Sequence, residues 1–239
     1  MDSTFKLLFP NEEPIKMSLS SAEILRKTVG KVHVLAFGKP ETGKTHMAYE
    51  IAGKLGVQIV RGNCTPDTSG AEWRGFWAPA KDGFTWQEGL AVKAIKSGGI
   101  LLIDDIHLAG PDLLAVLYPM LDRHPIDLPN GEQVDTARAC VYATSNEVPD
   151  NLPDGLASRF ELKVEVTELS EEAILSVGEK FSPILRRGVW GIRTVKAFKS
   201  LLDNGVSEEE AGEIVFGPAF EGIKDSLAVA NSSHQINEL

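Results

Sequence analysis

The feature that most constrains this chain is an eight-residue turn, Gly38-Lys39-Pro40-Glu41-Thr42-Gly43-Lys44-Thr45, which fits the pattern G-x-x-x-x-G-K-[ST]. Val32–Phe37 before it is a short apolar run that reads as a buried strand. Lys44–Leu55 after it carries helical periodicity and stops at Gly56. Glycines in such a strand-to-helix turn let successive backbone N–H groups converge on a phosphate, and the helix N-terminus adds partial positive charge. Lys44 would then reach the outer phosphates of a nucleotide, and the Thr45 hydroxyl would ligate Mg²⁺. Gly38 to Thr45, with His46 following in the first helical turn, are the candidate nucleotide-binding residues. The plainer alternative is a tight turn with an exposed lysine.

Further strand-like runs at Val57–Val60, Ile100–Ile103, Ala139–Thr144 and Leu162–Val166 alternate with helical patterns over Phe84–Lys96 and Leu113–Leu121, the latter started by Pro111. Five strands separated by helices call for an α/β fold, a mostly parallel sheet covered on both faces. After Thr167 the strands cease, and Ser170–Val177, Ile192–Asp203 and Ser207–Val215 read as helices. The expected organisation is a loosely held arm over 1–17, an α/β core over 18–167, a small all-helical piece over 168–221 and a patternless tail over 222–239. The core would open with a helix over about 20–29, where Ser20 and Glu23 have the spacing of a capping box.

Composition removes several functions. The formal charge of −10 over 239 residues argues against a general DNA binder, although a local basic stripe involving Lys93 and Lys96 would still be compatible with it. No apolar run approaches the ~20 residues needed to span a bilayer, and Met1–Pro10 has no secretory pattern. Cys64 and Cys140 make neither a metal spacing nor a disulfide framework and read as reduced residues of a cytoplasmic protein.

The run Ile100-Leu101-Leu102-Ile103-Asp104-Asp105 is a strand ending in two acids. An acid at the carboxyl end of a strand beside a phosphate loop is the usual Mg²⁺ partner, so Asp104 joins Thr45 as a candidate metal residue. A second acid, Asp105, suits a base that orients or deprotonates an attacking water. The pair points to a nucleoside triphosphate hydrolase more than to a small-molecule kinase.

From here the chain resembles an AAA+ ATPase, and within that class it is similar to the MoxR-type group that includes CbbQ/NorQ-like and gas-vesicle-associated ATPases. The likeness covers roughly residues 20–217. It implies a P-loop NTPase fold, a five-stranded parallel αβα sandwich with a C-terminal helical lid, and makes Gly38–Thr45 the Walker A and Ile100–Asp105 the Walker B segment. Tyr142-Ala143-Thr144-Ser145-Asn146 resembles the strand of the first sensor, with Asn146 positioning water. Leu156-Ala157-Ser158-Arg159-Phe160 resembles the segment bearing an arginine finger, and Gly191-Ile192-Arg193 the second sensor. Asn63 falls where the family places a polar residue that restrains the catalytic acid. The resemblance implies ATP and Mg²⁺ as ligands and a homo-oligomeric, hexameric ring in which Arg159 serves a neighbouring subunit. It also implies a protein client or adaptor, with nucleic acid as the rival substrate.

Three departures stand out. Asp104-Asp105 replaces the commoner Asp-Glu. Glu41 replaces a glycine, which is tolerable if its φ stays negative. The helical piece is short and carries no appended substrate domain. A nucleotide-gated assembly module with weak hydrolysis is therefore a further alternative. Trp73-Arg74-Gly75-Phe76-Trp77 would either face a central channel or pack beneath its loop. Pro125–Thr136, turning at Asn130-Gly131, reads as an inserted hairpin. His46, His107 and His124 show no ligand spacing.

Overall fold

The computed structural model describes residues 5–8, 15–17, 32–167, 169, 171–224 and 227, and the helix expected over 20–29 lies outside them. The chain divides into two compact units: one comprises 4–39 and 44–167, the other 1–3, 40–43 and 168–239.

In the first unit, five strands run parallel: β3 (Val34–Phe37), β4 (Ile59–Asn63), β7 (Ile100–Asp104), β10 (Cys140–Ser145) and β11 (Leu162–Val166). Their order is β11-β3-β10-β7-β4. Every residue of β3, β7 and β10 is buried, as expected of central parallel strands covered on both faces. One face packs on α1 (Lys44–Leu55) through Met47, Ala48, Ile51 and Ala52. The other face packs on α3 (Leu90–Ser97) and α4 (Pro111–Leu121), with Leu101, Ile103, Val141 and Ala143 beneath them. Apolar side chains therefore alternate between two cores along β3, β7 and β10, whereas those of β11 all face the α1 core.

The segment expected as a loose arm instead supplies β1 (Phe5–Leu8) and β2 (Ile15–Met17). β1 pairs antiparallel with β11, Phe5 opposite Val166, and β2 pairs with β1. They cover the edge of β11, whose unpaired backbone groups would otherwise be a template for aggregation.

A second correction concerns Phe84–Lys96, read above as one helix. Its first half is β6 (Gly83–Glu88), which pairs antiparallel with β5 (Gly75–Ala80), Trp77 opposite Trp86. The two indoles meet edge to face at 5.5 Å. Aromatic and β-branched residues at Phe84, Thr85 and Trp86 favour the strand, and the helix begins only after Gly89, where a Cβ would strike the Trp73 carbonyl. A short α2 (Gly70–Arg74), capped by Ser69 Oγ, precedes this hairpin. The second hairpin is present: β8 (Ile126–Asp127) pairs with β9 (Gln133–Val134). Its loop closes through Gly131 N–H to Leu128 O, and Gly131 has φ 87°, the bulged form of hairpin turn.

The second unit contains α5 (Glu171–Leu175), α6 (Ser182–Arg186), α7 (Ile192–Asp203) and α8 (Glu208–Phe216). Phe198 packs edge to face on Phe181 and Phe216 at its centre. Ile223 and Leu227 are buried in the same cluster, so the described part of the expected patternless tail completes this core.

Candidate active site

The phosphate-binding turn is built by backbone conformation. Gly38 has φ 138°, and a Cβ there would lie 2.5 Å from Val166 O, so glycine is required. Its N–H donates to Ser145 O at 3.2 Å, which fixes β3's exit against β10. The Lys44 ammonium, nearly buried, donates to Gly38 O at 2.8 Å and Lys39 O at 2.6 Å. The lysine is thus held inside the turn by the loop's own carbonyls. The Tyr142 hydroxyl, from within β10, donates to Lys44 O at 3.1 Å and anchors the first turn of α1. His46 pairs with Glu50 on the same helix at 3.0 Å.

Glu41 adopts φ 62°, against the expectation that a non-glycine residue there would keep φ negative. A left-handed glutamate costs about 1–2 kcal/mol. Its side chain lies against Gly191, the residue before α7, where any Cβ would be displaced. Pro40, Thr42 and Gly43 complete the turn in the same compact unit as α7. Arg193 is exposed at the second position of that helix.

The acid pair occupies two different environments. Asp104, at the buried end of β7, accepts from both Thr45 Oγ1 at 2.8 Å and Thr144 Oγ1 at 2.9 Å through Oδ1. Its Oδ2 accepts from the Arg61 guanidinium, at 2.6 Å from both Nε and a terminal nitrogen. Asp105 is half-buried in the left-handed region at φ 55°, where aspartate is among the better-tolerated residues. Its N–H donates to Thr144 Oγ1 at 3.2 Å, and its Oδ1 accepts from Asn146 Nδ2 at 3.2 Å. Asp104, Asp105, Thr45 and Asn146, expected as one constellation, are brought together. Asn63 stands opposite Asp104 in the β4–β7 register and is exposed.

The hard oxygens of Thr45 and Asp104, side by side at a phosphate-type turn, fit Mg²⁺, which favours carboxylates and hydroxyls over nitrogen or sulfur ligands. Arg61 and Thr144 were not foreseen as site residues. A signal for Arg61 exists: it is a charged residue directly after the apolar run Val57–Val60, within edge strand β4 and two residues before its carboxyl end, the end at which parallel α/β sheets bind ligands.

Arg159 ends a short 3₁₀ turn, Ala157–Arg159, and is bound by α4 of its own chain. Nε donates to Asp122 at 3.0 Å, a terminal nitrogen donates to Gly155 O at 2.7 Å, and the guanidinium lies 4.2 Å over the Tyr118 ring. Phe160 beside it is fully buried. The Tyr118 hydroxyl in turn donates to Asp154 O at 3.1 Å.

The turn, the acid-bearing strand and the parallel order define a P-loop NTPase fold. The model of the AAA domain, dynein-related subfamily, matches residues 33–160, and the chain belongs to that family. It is 31% identical over 137 residues to midasin of Giardia intestinalis, covering 53% of this chain and 3% of midasin. It is also 30% identical over 115 residues to protein NorQ of Paracoccus denitrificans, covering 47% of this chain and 42% of NorQ, in keeping with the MoxR-type likeness. The chain therefore spans less than half the length of either relative. A mutant RuvB of Thermotoga maritima shares the fold at TM-score 0.53 and 20% identity, covering 80% of this chain and 64% of that one. No helix among the described residues is long and apolar enough to cross a membrane.

Proposed function

We propose that the chain is a Mg²⁺-dependent ATP hydrolase that works as a homo-oligomeric, hexameric ring and couples turnover to remodelling a protein client. The observation that carries the chemistry is the contact between Asn146 and Asp105 beside the Thr45–Asp104 pair. It supports a polar sensor and a water-orienting carboxylate at the carboxyl edge, where a triphosphate on the Gly38–Thr45 turn would end its chain of phosphates. Lys44 draws the β- and γ-phosphates inward, and Asp105 with Asn146 orients the attacking water and takes up its proton. Mg²⁺, held by Thr45 and Asp104, would supply charge neutralisation at the phosphoryl oxygens. Arg159, pinned to α4, would complete the active site of the next subunit, and Arg193 would report nucleotide state to the helical unit acting as a lid.

A protein client is favoured over nucleic acid by two features. The β5–β6 hairpin exposes Phe76, Trp77 and Phe84, which suits contact with a polypeptide, while Trp73 is buried and belongs to packing. Lys96, a member of the candidate basic stripe, is ion-paired to Glu88 at 2.5 Å and Glu132 at 2.6 Å. A cytoplasmic setting accords with the buried thiols Cys64 and Cys140.

The direct test is Mg²⁺-ATP turnover per chain across a wide range of protein concentration at saturating nucleotide. A rate that climbs steeply and then levels off is expected of sites shared between subunits. Bound ATP with no turnover at any concentration would favour the nucleotide-gated assembly module instead.

A further inference from the structure

Every acceptor of the metal-holding carboxylate is already occupied by the protein's own donors. Oδ1 takes two hydroxyls, and Oδ2 takes both Nε and a terminal nitrogen of Arg61, two charge-assisted contacts converging on one oxygen. The side chain of Asp104 is 7% exposed, whereas that of Arg61 is 45% exposed. A buried carboxylate without a cation is costly, so the strand that places Asp104 for Mg²⁺ needs another positive charge whenever the metal is away. Arg61 sits on the neighbouring strand, two register steps before the level of Asp104: Arg61 pairs with Leu102, Gly62 with Ile103 and Asn63 with Asp104. From there its long side chain reaches the acid from the solvent side of the sheet edge. Tyr49, on α1, also flanks the guanidinium.

We infer that Arg61 is a place-holding cation for the metal site: it neutralises Asp104 in the metal-free protein and must give up Oδ2 as the metal·nucleotide complex is taken up. Arg61 is thus a positioning residue, acting through Asp104. It holds the carboxylate in place from the β4 side, and it sets a threshold for metal uptake because guanidinium and divalent cation compete for one oxygen. The inference rests on the nucleotide-binding reading above and goes beyond it, since it assigns the metal-free state its own counter-ion and makes metal affinity adjustable from β4.

The test uses the full chain, with Mn²⁺ as a spectroscopic probe and AMP-PNP as a non-hydrolysable nucleotide. Free Mn²⁺ is followed by electron paramagnetic resonance, and melting temperature is followed in EDTA and in Mn²⁺·AMP-PNP. Arg61→Gln is expected to bind Mn²⁺ in the presence of AMP-PNP about fivefold more tightly or better than the parent chain, the scale of an ordinary coupling between competing ligands. Its melting temperature should fall in EDTA and recover with Mn²⁺·AMP-PNP. Arg61→Lys, which keeps the charge but loses the paired nitrogens on Oδ2, should fall between the two and serves as the measurement if the glutamine variant does not fold. Mn²⁺ affinity unchanged or weakened in both variants, with the parent chain binding Mn²⁺·AMP-PNP normally, would overturn the place-holder. A parent chain that binds no AMP-PNP with or without metal would instead overturn the nucleotide reading on which the inference stands.

Discussion

The surroundings of Asp104 and those of Arg159 are both arginine–carboxylate arrangements, yet they are built differently. Asp104 is buried at a strand end, and hydroxyls from α1 and β10 and a guanidinium from β4 converge on it. Arg159 lies on the surface of α4, held by Asp122, a backbone carbonyl and one aromatic face, with more than a quarter of its side chain exposed. The first arrangement is complete within one chain. The second is a mounted cation whose carboxylate partner, being exposed, holds it by only about 0.2–1 kcal/mol, a tether weak enough to be exchanged for a phosphate. Under the proposed ring, the contrast separates what one subunit would assemble for itself from what it would present to another.

Four substitutions bear on that contrast, in descending order of expected effect. Arg159→Ala should lower turnover about 10³-fold, the scale of a lost arginine finger, with nucleotide affinity and melting temperature nearly unchanged; steady-state kinetics alongside nucleotide titration would show it. Lys44→Ala should lower turnover about 10²- to 10³-fold, as for other charge-stabilising donors, but with nucleotide binding lost as well, so the two arginine- and lysine-centred halves differ in what they take away. Asp105→Glu should leave turnover unchanged or reduce it by up to about tenfold, a modest misplacement cost, because the acid sits in a left-handed conformation that suits aspartate and already meets Asn146. A several-fold rise instead would mark the parent site as hydrolytically impaired and favour the assembly-module reading.

The smallest effect is on stability rather than catalysis and concerns His33, at the start of β3. Burial, with the positive charge of Arg123 adding to it, holds its imidazole down at about 4 against an ordinary 6.5. Its Nδ1 accepts the Val141 N–H at 3.2 Å, which requires the neutral ring. The unfolded chain therefore binds the proton first as pH falls. Stability should be flat above pH 6.5 and decline between 6.5 and 4, by up to about 1.4 kcal/mol per pH unit. His33→Asn, which keeps an acceptor for Val141, should remove that portion of the slope in denaturant titrations. An unaltered slope would assign it to other groups.

What was legible in the chain follows the same division. The Gly38–Thr45 turn, α1, the β7 acids and the Asn146 strand were readable because each is a contiguous pattern whose chemistry lies in its own residues. The β5–β6 hairpin was hidden because Phe84–Lys96 carries apolar residues at helical spacing, and only pairing with Gly75–Ala80 makes its first half a strand. β1 and β2 were hidden for a related reason: β1 becomes a strand by meeting β11, about 160 positions away, and β2 by pairing in turn with β1. Arg61 escaped notice because an arginine within an edge strand has no motif of its own; its role emerges from the neighbouring strand. Glu41 was judged by the conformation glutamate prefers, and the turn imposed the other one.

The central claim is that one chain supplies the Lys44 half of an active site and its neighbour the Arg159 half. Mixing the Lys44→Ala and Arg159→Ala chains, each inactive alone, tests it directly. Random co-assembly in a head-to-tail ring makes about one interface in four intact, so the mixture should regain about a quarter of the parent turnover per chain. No recovery in mixtures whose co-assembly is established by cross-linking would contradict shared sites and return Arg159 to the surface of α4 as a structural ion pair.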